Sequence, residues 1–119
     1  MKSILVIGAS GSLGRKTCEA LLDIYNGEIL LLVGDYRKDR GEETAKKLSL
    51  SVENVRCVNV KDAASVAEGI TADIDCVIVA VTQVEPIVQG RCVEKGIPCV
   101  DLTTFSDFSA RVQKNTLIQ

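Results

Sequence analysis

Three glycines at equal spacing constrain this chain more than any other feature: Gly8-Ala9-Ser10-Gly11-Ser12-Leu13-Gly14. Ahead of them, Ser3-Ile4-Leu5-Val6-Ile7 is an apolar run short enough for a buried strand. Behind them, about 12–25 reads as a helix, with Leu13, Thr17, Ala20, Leu21 and Ile24 at helical spacing and Asn26-Gly27 as its stop. Strand, glycine turn and helix in that order form the opening unit of a fold that cradles a diphosphate. Gly8 lets the chain leave the strand tightly. Gly11 lets backbone approach a pyrophosphate. Gly14 lets the helix pack close to the sheet. The N–H groups of Ser10 to Leu13 then lie at the positive end of a helix dipole, where an anion is favoured.

The rest of the chain alternates in the same way. Glu28 to Val33 is a second strand, continuously apolar over Ile29-Leu30-Leu31-Leu32-Val33, as a strand covered on both faces should be. A polar helix spans about 39–48, with Ala45 and Leu48 inward and pairs such as Glu42–Lys46 and Glu43–Lys47 on its outer face. A third strand falls within 52–60, with Val55, Cys57 and Asn59 on one side. A short helix over 63–69, a strand over 76–81, a helix over 84–95 with Pro86 in its first turn, and a strand over 97–102 complete the pattern. The expected architecture is a three-layer, doubly wound parallel sheet of Rossmann type in the order 3-2-1-4-5. Phe105, Phe108 and Val112 recur at helical spacing after Thr104-x-x-Asp107, so 104–119 is expected to be a terminal helix or the start of a further domain.

Composition narrows the class. The chain has 119 residues, 46% apolar and 25% charged, with a net charge of −2. That suits a single domain spanning residues 1–119. Lys and Arg are scattered, with no basic stripe for nucleic acid and no basic amphipathic face for a membrane. No run approaches the ~20 apolar residues of a bilayer span, and the start lacks a signal-peptide pattern, so a cytoplasmic setting is expected. Five cysteines without a C-x-x-C pair are read as small buried apolar groups in a reducing compartment. The chain has no histidine, which removes Cys/His zinc sites and every His-based triad.

In an open parallel sheet, ligands bind beyond the carboxyl ends of the strands, where the strand order reverses. The groups brought there are Gly8, Ser10, Gly11, Ser12 and Leu13 for pyrophosphate and Asp35 for the adenosine ribose. Tyr36, Arg37, Asn59 and Val60 would flank adenine, and Ala80, Val81 and Thr82 would meet the nicotinamide ribose. Asp35 stands 21 residues after Gly14, the placement of the acid that accepts from ribose hydroxyls. It favours NAD, whereas Arg37 and Lys38 could neutralise the extra phosphate of NADP, so the choice of cofactor stays open. Asp101 to Thr104 is read as a turn and cap, with the nicotinamide border as the second possibility.

The chain resembles the N-terminal NAD(P)-binding domain of the saccharopine dehydrogenase family. The likeness lies in Ile4-Leu5-Val6-Ile7-Gly8-Ala9-Ser10-Gly11 and Ala45-Lys46-Lys47-Leu48. It continues in Pro86-Ile87-Val88, Cys92, Gly96 and Val100-Asp101-Leu102-Thr103. It covers nearly the whole length. The resemblance implies an oxidoreductase using NAD or NADP on C–N bonds of amino-acid-like substrates, with the small-molecule pocket supplied by a second domain. This chain would then be an N-terminal fragment, and a homo-oligomer is possible. The catalytic residues are not assigned, and no metal is expected. Two alternatives remain: a non-catalytic NAD(P)-sensing module, and an atypical short-chain reductase, whose glycine spacing this turn also resembles.

Overall fold

The computed structural model describes residues 1–103, so the helix expected over 104–119 lies outside the described residues. Five strands and four helices alternate through them. The strands are β1 (Lys2–Ile7), β2 (Ile29–Asp35), β3 (Val55–Cys57), β4 (Cys76–Val79) and β5 (Cys99–Asp101). The helices are α1 (Ser12–Tyr25), α2 (Lys38–Lys47), α3 (Ala63–Gly69) and α4 (Ile87–Lys95). A 3-10 turn, Val52–Asn54, precedes β3. All pairings are parallel, in the order β3-β2-β1-β4-β5, as the alternation predicts.

The central strand divides the core in two. Leu5 and Ile7 of β1 join Leu32, Val66, Ile70, Val77, Val79, Val88 and Cys92 on the α3–α4 face. Val6 joins Cys18, Leu31, Val33 and Ala45 on the α1–α2 face. Successive side chains of a strand point to opposite faces, so a run without polar residues serves both layers at once. Among the described residues no helix is long and apolar enough to cross a membrane.

The first helix has the expected ends but a different rotation. Gly14 and Cys18 are its buried positions, with Leu21 and Leu22 packed beside them. Leu13 and Ile24, expected inward, are 43% and 69% exposed. The reason is steric. A Cβ on Gly14 would stand 2.0 Å from the Gly8 carbonyl oxygen and 2.8 Å from the Ala9 Cα. The helix must turn its glycine to the β1 turn, and that contact outranks the apolar count.

Smaller departures have similarly local causes. On α2, Glu43 pairs with Lys47 at 3.2 Å as expected, but Glu42 lies 3.9 Å from Lys38 instead of pairing with Lys46. β2 runs two residues further than expected, to Asp35, because β1 and β3 continue to pair with it there. β4 and β5 are shorter than expected, and Pro86 stands before the first residue of α4 instead of inside its first turn. The cysteines do not behave alike. All five are free; Cys18 and Cys92 are buried, Cys76 and Cys99 half-buried, and Cys57 exposed. Cys57 departs from the reading of the cysteines as buried because it is the last residue of a three-residue strand at the edge of the sheet.

Gly14→Ala should therefore destabilise the fold by about 3 kcal/mol or more in urea unfolding, because backbone on both sides must move. Gly90→Ala, within α4 and with nothing inside 4 Å of the added carbon, should stabilise by roughly 0.5–1 kcal/mol.

Burial pushes the Cys18 thiol up to about 12 from its ordinary 9.0, and the adjacent Glu19 charge adds to the rise. Between those values the unfolded chain gives up this proton and the folded chain keeps it. Stability is thus intact below pH 9 and falls toward pH 12, by at most about 1.4 kcal/mol per pH unit for this group. Urea unfolding followed from about pH 8 to 11 should show the decline, with a shallower slope in Cys18→Ala.

Candidate functional site

The sheet order reverses between β1 and β4, and a cleft of about 560 Å³ opens there beyond the strand ends. The turn after β1 forms its floor. Gly8 has φ +85, in the left-handed region, and a Cβ there would lie 2.9 Å from Val81 Cβ and 3.0 Å from the Ala80 carbonyl oxygen. Its N–H and that of Ala9 both donate to the Gly34 carbonyl, at 2.9 and 3.2 Å. The turn is thereby fastened to β2, one residue before Asp35.

The amides of this turn are partly taken. Gly11 donates its N–H to the Gly8 carbonyl at 3.1 Å, closing the turn on itself. This corrects the expectation that all N–H groups from Ser10 to Leu13 are available. Among the described residues, the N–H groups of Ser10, Ser12, Leu13 and Gly14 make no hydrogen bond. The first turn of α1 has neither a side-chain cap nor an acidic residue. The other helices contrast with it. Asp62 caps α3 by accepting from the Ala64 N–H at 3.0 Å. Gln83 accepts from the Val88 N–H in α4 at 3.1 Å, and α2 has Asp39 in its first turn. The start of α1 therefore keeps its positive end open beside the cleft.

Ten of the expected site residues line the cleft: Gly8, Ser10, Gly11, Asp35, Tyr36, Asn59, Val60, Ala80, Val81 and Thr82. Ser12 and Leu13 do not line it; they contribute only the open amides at the helix start. Arg37 is also outside. It precedes α2, and its guanidinium donates to Asp39 at 3.2 and 2.8 Å, both side chains being exposed. That hydrogen bond holds the Asp39 carboxyl below its ordinary range. Arg37 is thus an ion-pair partner at the helix start and does not line the cleft.

Asp35 is 4% exposed and committed to protein partners. Its Oδ1 accepts from the Arg37 N–H at 2.9 Å, and its Oδ2 accepts from the Ser10 hydroxyl. Asn59 is likewise half-committed: its Oδ1 accepts the Lys61 N–H at 3.0 Å, so its amide group alone remains to donate into the cleft. Asp101 accepts from the Thr103 N–H at 2.7 Å and from Gln89 Nε2 at 2.9 Å, a turn tied back to α4 and not part of the cleft.

Four cleft residues were not expected from the sequence: Ile7, Val58, Arg40 and Lys61, of which the last two are charged. Arg40 reads there as one more charge on a solvated helix. In the structure its Nη2 donates to Ser10 Oγ at 3.2 Å, and its guanidinium lies 5.7 Å from the centre of the Tyr36 ring. The available signal is its position: the third residue of a helix that starts three residues after the acid of β2 lies level with the β1 turn.

The strand order, the crossover at β1 and a cleft at the switch point define a doubly wound, Rossmann-like α/β fold. The solved structure of saccharopine dehydrogenase (L-Glu forming) from Saccharomyces cerevisiae, a histidine-tagged protein in its apo form, superposes on the chain with a TM-score of 0.74. The two are 19% identical over 94% of this chain and 24% of that protein, so this chain spans about a quarter of its length. No family model and no curated protein matches the sequence. The likeness is one of fold, in agreement with the family that the motifs resemble.

Asp35→Ala removes the shared acceptor of the Arg37 N–H and the Ser10 hydroxyl. It should lower stability by about 1–3 kcal/mol in urea unfolding, since a part-buried donor is left unsatisfied.

Proposed function

We propose that this chain is the nicotinamide-dinucleotide-binding domain of an oxidoreductase. The observation that carries the reading is the uncapped start of α1, opening at the switch point into a cleft large enough for a small-molecule ligand. Backbone N–H groups there offer hydrogen bonds and positive potential to a diphosphate, and no acidic side chain stands in the first turn to compete with it. The turn's glycines fit the same role: Gly14 brings α1 against β1, and Gly8 turns the chain beneath the cleft.

From that anchor, the two arms of a dinucleotide run in opposite directions. The adenosine arm passes toward Tyr36, Arg40 and Asn59. The nicotinamide arm passes over Ala80, Val81 and Thr82 at the end of β4. When bound, the nicotinamide accepts or gives a hydride, and the protein's part is to hold and orient it. An amino-acid-like substrate is the reading that agrees with the yeast protein of the same fold, saccharopine dehydrogenase. A further domain would supply most of that substrate's pocket.

Binding should raise the melting temperature of the folded chain. At a ligand concentration of 100 Kd the added stability is about 2.7 kcal/mol, a shift on the order of 10 °C for a domain of this size. Thermal melts with NAD+, NADH, NADP+ and NADPH at millimolar concentration check this. Unchanged melting with all four counts against the proposal.

A further inference from the structure

We infer that the cleft selects a dinucleotide whose adenosine ribose carries a 2′-phosphate. The inference rests on the dinucleotide reading above and concerns the adenosine end of the same cleft.

The acid that would accept from a free 2′-hydroxyl is already engaged. Asp35 is 4% exposed, and both its oxygens accept hydrogen bonds, one from the Arg37 N–H and one from the Ser10 hydroxyl. What faces the cleft at this end is the next group outward. Ser10 Oγ accepts from Arg40 Nη2 and gives its one proton to Asp35, so an engaged hydroxyl and a guanidinium stand over the carboxylate. A ribose hydroxyl would have to displace Ser10 to reach Asp35. A 2′-phosphate brings only acceptors, and it would meet the Arg40 guanidinium, whose remaining N–H groups can donate to it without displacing Ser10 from Asp35.

The charges point the same way. The two cations between Asp35 and Arg40 in the chain lie outside the cleft and are paired: Arg37 with Asp39, and Lys38 with Glu42. Arg40 and Lys61 line the cleft, and among the described residues neither is in an ion pair. Two uncompensated cations thus face the space, against one buried, hydrogen-bonded carboxylate. Arg40 is also held in place, resting over the Tyr36 ring. A planar guanidinium fixed in this way can present parallel N–H groups to a phosphate, which a mobile ammonium cannot.

The test is isothermal titration of the full chain with 2′,5′-ADP, 5′-AMP, NADP+ and NAD+ at one salt concentration. The expected result is binding of 2′,5′-ADP at least about tenfold tighter than 5′-AMP, and NADP+ tighter than NAD+ by a similar factor. Arg40→Ala should then weaken 2′,5′-ADP by about 10- to 100-fold and leave 5′-AMP within about threefold, as loss of a charge-assisted contact to one phosphate requires. Equal affinity for the two probes in the unmutated chain, or tighter 5′-AMP, overturns the inference while leaving dinucleotide binding intact. A parallel loss of both probes in an Arg40→Ala variant with an unchanged apo melting temperature assigns Arg40 to adenine and overturns it too. Failure of all four ligands to bind the unmutated chain refutes the dinucleotide reading itself.

Discussion

The contact between Gly14 and the Gly8 carbonyl governs the rest of the structure. With 2.0 Å available for a Cβ that does not exist, α1 lies as close to the end of β1 as backbone allows. That approach sets the rotation of α1, so Cys18 is buried while Leu13 and Ile24 face outward. It also places the helix start at the edge of the cleft. Packing and binding geometry thus follow from one steric fact, and a single methyl group would disturb both.

The turn that α1 presses on is held from its other side as well. The Gly34 carbonyl accepts from both Gly8 and Ala9, and the Ile7 carbonyl accepts from the Ala80 N–H at 2.8 Å. The β1 turn is therefore clamped between β2 and β4, the two strands whose ends form the walls of the cleft. The floor of the cleft is thus built on hydrogen-bonded backbone. Beside Ser10 the order comes from side chains in place of backbone. There a hydroxyl, a carboxylate and a guanidinium from three elements form one chain of hydrogen bonds.

Much of the fold was legible from the sequence because its signals are local and redundant. Continuous apolar runs marked β1 and β2, glycines and Asn26 marked the helix ends, and the alternation of types required a parallel sheet. The cleft was legible in position but less so in detail. Ten residues read as candidates do line it, since the strand ends must converge there. Arg40 read as a surface charge because only the onset of α2 at Lys38 decides that it reaches back to Ser10. The Gly11 amide looked free because nothing in the sequence shows that the turn closes on its own carbonyl.

The amino-acid sequence by itself determined the layered architecture, the order of the strands and the glycine turn at their reversal. These depend on periodicity and on backbone conformations that few residues can adopt. Only the tertiary structure decided which face α1 buries, which arginine overlooks the cleft, and that Asp35 spends its oxygens on Ser10 and Arg37. Those outcomes are contests between groups far apart in the chain, and distance in space, which the chain order does not contain, settles them.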